Sequence, residues 1–356
     1  MQATWLRRCG RLVPVAIVGV FMASAGAAQA QAVAEAPVKA ADVAVVPASD
    51  LQWLVDEAVA SFKGDNSGEN ASYIKILTET PSHLFGVVIV TRDGKVFKAG
   101  DVDYKFSIQS VSKPFTAALV MSQQGPAVVR EKIGVEPTGL PFNSKMALEL
   151  YKARSVNPLV NAGAIAAVSL VQATSEEDRW NKVLQNLSDF AGEPLTMLEK
   201  VFESEYGDCE GNRGIAHLLR NWGKLYCDPE EALRVYTKEC SVGVSALDLG
   251  MMGATLANGG VNPKTGKRVM KSEDVPELLA VMATAGFYDE SGAWMYTAGL
   301  PAKTGVGGGI VAVVPGKFAI AAFSPRLNEA GNSIRASKAI LHISKTLGGN
   351  VFGTGE

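Results

Sequence analysis

The sequence predicts an α+β fold in which both ends of the chain build one antiparallel sheet, with a helical segment inserted between them. Residues 85–100 and 310–323 each have the composition of a β-hairpin. From residue 113 to about 285, apolar residues recur mostly at helical spacing. Because the two hairpins bracket the helical stretch, a single sheet covered by helices is the simplest architecture.

The first predicted elements are a helix and a hairpin. Apolar residues at helical spacing follow Asp50, which is a predicted N-cap. Residues 85–91 and 95–100 then have the composition of strands, and Asp93-Gly94 between them is a strong hairpin signal. This hairpin leads the chain toward Ser110.

The central stretch is dominated by helical patterns. A helix is predicted over residues 113–124. Further helix-like segments are 143–152, 161–173, 176–191, 194–204, 212–224, 229–239, 245–258 and 273–285. The region from roughly 125 to 285 is therefore predicted to form a helical subdomain.

Strand patterns return near the C-terminus. Residues 310–314 and 318–323 are apolar runs separated by Pro315-Gly316-Lys317, a turn composition that indicates a second hairpin. A final helix is predicted near residues 331–347. The whole order is therefore helix, strands, many helices, strands, helix.

The N-terminus has the features of a secretory signal. Three arginines precede an apolar run over residues 12–28, and Ala28-Gln29-Ala30 ends it with the small-x-small pattern of a cleavage site. We therefore predict a signal peptide over residues 1–30. A membrane anchor over the same run is the alternative, and Arg7-Arg8 leaves a twin-arginine export route open.

After cleavage, residues 31–48 are predicted to form a flexible leader and residues 49–350 the catalytic domain, which we expect to be exported to the periplasm. Thirty-four basic residues against thirty-six acidic ones give a formal charge of −2, which provides no electrostatic footprint for nucleic acid or an anionic membrane. A small-molecule substrate fits this composition better. After signal cleavage, no later segment is long and apolar enough to predict a membrane span.

Cysteine and histidine usage argues against a disulfide framework and against a metal site. Cys209, Cys227 and Cys240 remain after signal cleavage, and three thiols cannot all pair, so at most one disulfide is possible. The three histidines are far apart and lack metal-ligand spacing. We expect neither a metal nor a cofactor.

A possible nucleophile lies where the helix over 113–124 begins. Ser110 and Lys113 form a Ser-x-x-Lys pattern, and residues three apart on a helix share a face. A neutral lysine can then act as the base that activates the serine, provided that burial or a neighbouring cation lowers its pKa. Taken alone, the pattern is also compatible with a helix cap followed by a solvated lysine.

A second motif, Lys303-Thr304-Gly305, precedes a predicted strand and is followed by Val306 and three glycines. Lys-Thr-Gly accompanies Ser-x-x-Lys in serine β-lactamases and penicillin-binding proteins, where its strand lies beside the nucleophile. The glycines allow a backbone to approach a ligand closely and to present N–H groups to an oxyanion. A simple glycine-rich bend before a strand is the alternative.

Longer segments extend both motifs, namely QSVSKP at 109–114, NPLVNAGAI at 157–165, ATLANGG at 254–260 and GLPAKTGV at 299–306. Together they resemble the serine-dependent glutaminases, a family with a β-lactamase-like fold. The likeness extends from about Leu51 to Gly348, nearly the whole predicted mature chain. The resemblance therefore implies a β-lactamase-like arrangement of the predicted sheet and helices.

The resemblance also implies roles for individual residues. It makes Ser110 the nucleophile, Lys113 its base and Tyr288 a helper in proton delivery to the leaving ammonia. The implied substrate-binding residues are Tyr73, Ser110, Asn161, Glu205, Asn212, Tyr236, Tyr288 and Val306. A site for a free amino acid needs an acid for the ammonium and donors for the carboxylate, and this set supplies both.

The activity implied is hydrolysis of L-glutamine to L-glutamate and ammonia through an acyl-enzyme on Ser110, by a homodimer or homotetramer. A β-lactamase or cell-wall transpeptidase is one alternative, for which Ser155-Val156-Asn157 offers a third motif. A non-enzymatic amino-acid-binding protein is the other.

Overall fold

The computed structural model describes residues 47–353. The predicted signal peptide and the leader up to residue 46 lie outside the described residues. Within the described range the helices α1 to α13 are Ala48–Phe62, Lys113–Gln124, Pro126–Val128, Lys145–Leu150, Asn161–Leu170, Glu176–Ala191, Glu199–Gly207, Glu210–Asn221, Pro229–Cys240, Ala246–Ala257, Val275–Ala285, Ser291–Thr297 and Ile334–Thr346. The strands β1 to β8 are Gly86–Thr91, Val96–Gly100, Phe106–Ser107, Thr196–Met197, Val242–Val244, Ala302–Thr304, Gly309–Val314 and Phe318–Phe323.

The main sheet has five antiparallel strands in the order β2-β1-β8-β7-β6. The N-terminal hairpin joins the C-terminal one through β1 and β8, with Ile89 opposite Ile320. The prediction that both ends of the chain build one antiparallel sheet is confirmed.

Both faces of this sheet are buried. Side chains alternate along β1, so Val87 and Ile89 pack toward α1 and α13, whereas Val88 and Val90 pack on the other side with Leu249 of α10. Fully burying a valine or isoleucine contributes about 1.5–3 kcal/mol. The sheet is therefore a rigid central layer that can hold residues at its edge in fixed positions.

Most predicted elements appear with small shifts at their ends. α2 and α6 match their predicted bounds, and both hairpins are confirmed. Asp50 as an N-cap is wrong, because Pro47 occupies the cap position and Asp50 lies in the first turn, where its charge suits the helix dipole. The helix predicted over 194–204 is shifted, because β4 uses residues 196–197 and α7 begins at Glu199.

A second sheet of three short strands, in the order β3-β5-β4, was not predicted. Its strands of two or three residues are too short to show an alternating pattern. The sheet fixes the segment before Ser110: β3 pairs with β5, and the Ile108 N–H donates to the Val242 carbonyl at 2.8 Å.

No helix in residues 47–353 combines the length and apolarity that crossing a bilayer requires. Cys209, Cys227 and Cys240 are unpaired in this part of the chain. The domain boundaries at residues 30, 48 and 350 stay predictions.

Candidate active site

Ser110 lies in a 3-10 turn, Gln109–Ser112, rather than in the α-helix. The α-helix begins at Lys113, so the expectation that Ser110 starts the helix is corrected by one tight turn. Gln109 has φ 49° and Tyr288 has φ 56°, left-handed conformations that are uncommon for residues with a side chain. Backbone strain of this kind is typical of functional sites, because the surrounding structure must hold it in place.

The glycine-rich segment after β6 lies directly against this turn. A Cβ added at Gly305 would be 3.0 Å from the Ile108 carbonyl oxygen, and one added at Gly307 would be 2.4 Å from that of Ser107. Both distances are too short for a side chain. The glycines are therefore needed where the strand meets the turn that carries Ser110.

Lys113 is buried at the start of α2. Its Nζ donates a 2.6 Å hydrogen bond to Oδ1 of Asn161 and lies 5.7 Å from the centre of the Tyr236 ring. Burial lowers the pKa of Lys113 to about 8, although Cys240, Glu239 and Glu205 in their ionised forms would each raise it. An amine with this pKa is substantially uncharged in mildly alkaline solution, as a base must be.

Ser110 opens onto a cavity of about 430 Å³. Its hydroxyl-bearing side chain is 6% exposed, whereas Tyr73 at the same cavity is 56% exposed. The predicted site residues that line the cavity are Tyr73, Ser110, Asn161, Glu205, Asn212, Tyr236 and Val306. The other two predicted residues, Lys113 and Tyr288, adjoin it through contacts with Asn161 and Val306, so the structure brings all nine together.

Glu205 supplies the acid of the cavity wall. Its Oε2 accepts a 3.0 Å hydrogen bond from Nε2 of Gln109, the residue before Ser110. Burial raises the pKa of Glu205 to about 7, and the Gln109 hydrogen bond and the Lys113 charge limit the rise. Glu205 is therefore ionised above neutral pH, in the form that attracts an ammonium group.

Two asparagines continue the polar wall. Nδ2 of Asn161 donates a 2.9 Å hydrogen bond to Oδ1 of Asn212, while Oδ1 of Asn161 accepts from Lys113. α5 begins at Asn161 and α8 carries Asn212, so this chain of bonds ties two helices to the start of α2. Tyr236 closes the same side from α9, with burial raising its pKa well above the ordinary value.

Tyr288 lies behind Ser110. Burial raises the pKa of Tyr288, and the Ser110 hydroxyl and the Val306 N–H, which face its oxygen, offset part of that rise. Among the described residues its hydroxyl has no hydrogen-bond partner of good geometry. A buried hydroxyl without a partner is uncommon, which marks Tyr288 as a candidate for a functional role.

Ser110 and Lys113 make no direct hydrogen bond within the described residues; the side-chain partner of the Lys113 amine is Asn161. The spacing of Ser110 and Lys113 therefore predicted that the two side chains lie at one site, but it did not predict the partner of the Lys113 amine. That partner comes from α5, more than forty residues along the chain.

Two residues at the site were not among those predicted. Gln109 holds Glu205, and Lys303 is buried with its Nζ 4.5 Å above the Tyr288 ring, donating to the Gly286 carbonyl at 3.2 Å. Burial, together with the charge of Lys113, places the pKa of Lys303 well below its ordinary value. Gln109 directly precedes the Ser-x-x-Lys motif and Lys303 is the first residue of Lys-Thr-Gly, so the two motifs were the available signal.

Comparisons with known proteins agree with this geometry. A family model described as Glutaminase matches residues 68–352. A glutaminase of Colwellia psychrerythraea is 52% identical over 302 residues, which cover 85% of this chain and 97% of that protein. Glutaminase 1 of Escherichia coli strain K12 is 50% identical over 308 residues, covering 86% and 99%.

Solved structures give the same result. The structure of a probable glutaminase has a TM-score of 0.85 at 50% identity and covers 86% of this chain and 99% of its own. A crystal structure of Mglu in its L-glutamate-binding form has a TM-score of 0.79 at 36% identity, covering 85% and 67%. These neighbours confirm the β-lactamase-like fold predicted from the sequence.

Proposed function

Since the chain belongs to the glutaminase family, we propose that it hydrolyses the side-chain amide of L-glutamine to L-glutamate and ammonia through an ester on Ser110. The observation that carries the proposal is the cavity itself. One wall has a serine beside a buried lysine of lowered pKa, and another has the acid Glu205. A hydrolase for a free amino acid needs these two features at one site.

In the first half of the reaction, the Ser110 oxygen forms a bond to the amide carbon while Lys113 takes the hydroxyl proton. The two side chains must approach for this step, and the flexible stem of a lysine permits it. The carbonyl oxygen becomes an oxyanion, for which we assign the N–H groups of Ser110 and Val306 as donors. The carbon–nitrogen bond then breaks, and the Lys113 proton passes to the departing ammonia with the help of Tyr288.

In the second half, water attacks the glutamyl ester and Lys113 accepts its proton. The ester bond breaks, the Ser110 oxygen regains a proton and L-glutamate leaves. No redox step is involved, and atoms balance as glutamine plus water giving glutamate plus ammonia.

The remaining residues hold the amino-acid head group. We assign the ammonium of the substrate to Glu205, which is kept in place by Gln109. The substrate carboxylate then needs donors, and amide and phenol groups around the cavity supply them. The assigned donors are Tyr73, Asn161, Asn212 and Tyr236.

The test is ammonia and glutamate release from L-glutamine by the Ser110→Ala variant. We expect a loss of at least about 1,000-fold in kcat, because the nucleophile is gone while binding remains. Ser61→Ala, at an exposed position on α1, is the matched control and should keep full activity. Thermal unfolding of both variants checks the fold, and undiminished ammonia release by Ser110→Ala would refute the assignment.

The same purified protein distinguishes glutamine hydrolysis from the two alternative functions, a β-lactamase or transpeptidase and a non-enzymatic binding protein. Ser155 is fully buried and donates to the Ile133 carbonyl at 2.8 Å, and Asn157 donates to the Glu136 carbonyl, so both serve loop structure. We therefore expect no covalent labelling by penicillin. Ammonia release from a panel of amino-acid amides measures the substrate specificity. Reversible glutamine binding without ammonia release would favour a binding protein.

We also propose that the chain is exported to the periplasm with cleavage after Ala30, and that it assembles as a homodimer or homotetramer. Support for export is the charged, apolar and small-x-small pattern of residues 1–30. Support for assembly is the family. Mass spectrometry of the mature N-terminus tests cleavage, and an intact N-terminus would refute it. Light scattering tests assembly, and a monomer would refute the proposed homodimer or homotetramer.

A further inference from the structure

A fully buried carboxyl group lies close to the active site without lining its cavity. Glu239 is on α9, and its Oε2 accepts a 2.5 Å hydrogen bond from Oγ1 of Thr116 on α2. Its Oε1 is buried and has no hydrogen-bond partner among the residues described. A buried carboxylate with one oxygen that lacks a hydrogen-bond partner destabilises the folded protein. A functional role would explain why Glu239 is present despite this cost.

The contacts of Glu239 lead to Lys113. Thr116 lies one helical turn after Lys113, and the buried Ser112 hydroxyl, next to Lys113, also faces the carboxyl. From the other helix, Tyr236 lies one turn before Glu239 and places its ring 5.7 Å from the Lys113 amine. The contacts between α2 and α9 therefore place the carboxyl near the amine, while Glu239 is not among the residues that line the cavity.

The two groups oppose each other electrostatically. Burial raises the pKa of Glu239 to about 8, and the hydrogen bond from Thr116 and the charge of Lys113 limit the rise. Burial lowers the pKa of Lys113 to about 8, and the charge of Glu239 acts against that shift. The other ionisable groups facing this pair are Glu205 on α7, Tyr236 and Cys240 on α9, and Lys303 on β6.

We propose that Glu239 is a positioning residue that acts through Lys113: its buried carboxyl, held by Thr116 across the α2–α9 contact, sets the pH at which the Lys113 amine becomes available as a base. This inference rests on the proposed role of Lys113. When Glu239 is neutral, the amine loses its proton readily. When it is ionised, the ammonium form is favoured.

The direction of the effect follows from the signs of the charges. Replacing Glu239 by glutamine removes a negative charge near Lys113 and keeps the size and an acceptor for Thr116. The ammonium form then loses an attractive partner, so Lys113 deprotonates at lower pH. A nearby opposite charge shifts a pKa by about one to three units, so we expect the acid limb of kcat/KM to move about one unit toward acid.

The experiment compares pH profiles of kcat/KM for glutamine in the full-length wild type, Glu239→Gln and Thr116→Val. Thr116→Val removes the bond that favours the ionised carboxyl, so its limb should move in the same direction by a smaller amount. Glu177→Gln, an exposed acid on α6, is the matched control and should leave the limb in place. Thermal unfolding checks that each variant is folded.

An acid limb in Glu239→Gln that superimposes on the wild type, with or without a uniform loss of rate, would overturn the inference. If Glu239→Gln does not fold, Thr116→Val decides, and an unmoved limb there counts against the proposal. Lys113→Gln separates this failure from failure of the proposed function. An inactive Lys113→Gln with an unmoved Glu239→Gln limb refutes only the Glu239 role, whereas an active Lys113→Gln refutes Lys113 as the base.

Discussion

The Lys113 amine donates its 2.6 Å hydrogen bond to the amide oxygen of Asn161, an acceptor without charge. A carboxylate in that place would hold the amine as an ammonium ion. The amide orients the nitrogen but adds no full negative charge, so burial can still lower its pKa. Asparagine at the first residue of α5 is therefore compatible with the proposed role of Lys113 as a base.

Asn161→Asp tests this relationship directly. A new carboxylate at hydrogen-bond distance from Lys113 should raise the pKa of the amine by about one to three units and move the acid limb of kcat/KM upward by that amount. The pH profile of glutamine hydrolysis measures it. Asn181→Asp, at an exposed position of α6, is the control that introduces the same charge elsewhere and should not move the limb.

In the proposed mechanism, the wild-type pH dependence follows from two groups that must both be deprotonated. Glu205, with a pKa of about 7, must be ionised to bind ammonium, and Lys113, with a pKa of about 8, must be uncharged to accept a proton. Both active forms are lost on acidification. We expect kcat/KM to rise through pH 7 to 8 and to fall by about tenfold to a hundredfold per unit below that range. A limb near pH 4 to 5, where free carboxyl groups titrate, would contradict both assignments.

Glu205→Gln should mainly weaken substrate binding. Hydrogen bonds to charged groups contribute about 1.5–3 kcal/mol, so KM should rise by roughly ten- to a hundredfold. Glu203→Gln changes an exposed acid two residues away on α7 and provides the control. Steady-state kinetics with glutamine gives the result, and equal KM values for the two variants would rule out Glu205 as the ammonium partner.

Gly305→Ala should separate the strand from the turn that carries Ser110. The added Cβ meets the Ile108 carbonyl oxygen at 3.0 Å and Val111 Cγ2 at 2.9 Å, so the backbone must shift. Overpacking costs about 1–3 kcal/mol of stability, and a displacement near 1 Å at the reacting groups costs about a hundredfold in rate.

Gly64→Ala is the matched change, because nothing lies within 4 Å of the added Cβ there. Thermal melts and ammonia release under identical conditions compare the two variants. Wild-type activity in Gly305→Ala would show that the close approach of the two segments is not required.

The sequence predicted the parts of this fold that repeat over several residues. The hairpin strands on both sides of Asp93-Gly94 and Gly316 were found because strand composition and turn chemistry are local. The three strands of the second sheet were missed, since two or three residues carry no period. The pairing of β3 with β5 also joins residues more than a hundred positions apart.

The candidate site was also predicted only in part from the sequence. The motifs around Ser110 and Lys303, and the family resemblance, pointed to nine residues that the structure places around one cavity. Neither the Lys113–Asn161 bond nor the carboxyl of Glu239 was predicted. Each depends on how one helix packs against another, and a single sequence contains no local signal for that contact.

The pairing of β1 with β8 also has a consequence for biosynthesis. β1 ends at Thr91 and its partner begins at Phe318, so the edge of the N-terminal hairpin has no neighbour until translation has passed Phe318. Contacts so distant in sequence slow folding and leave an unpaired strand open to association with other chains. The main sheet therefore cannot be completed before β8 has been synthesised, and products terminated before this strand should aggregate rather than function.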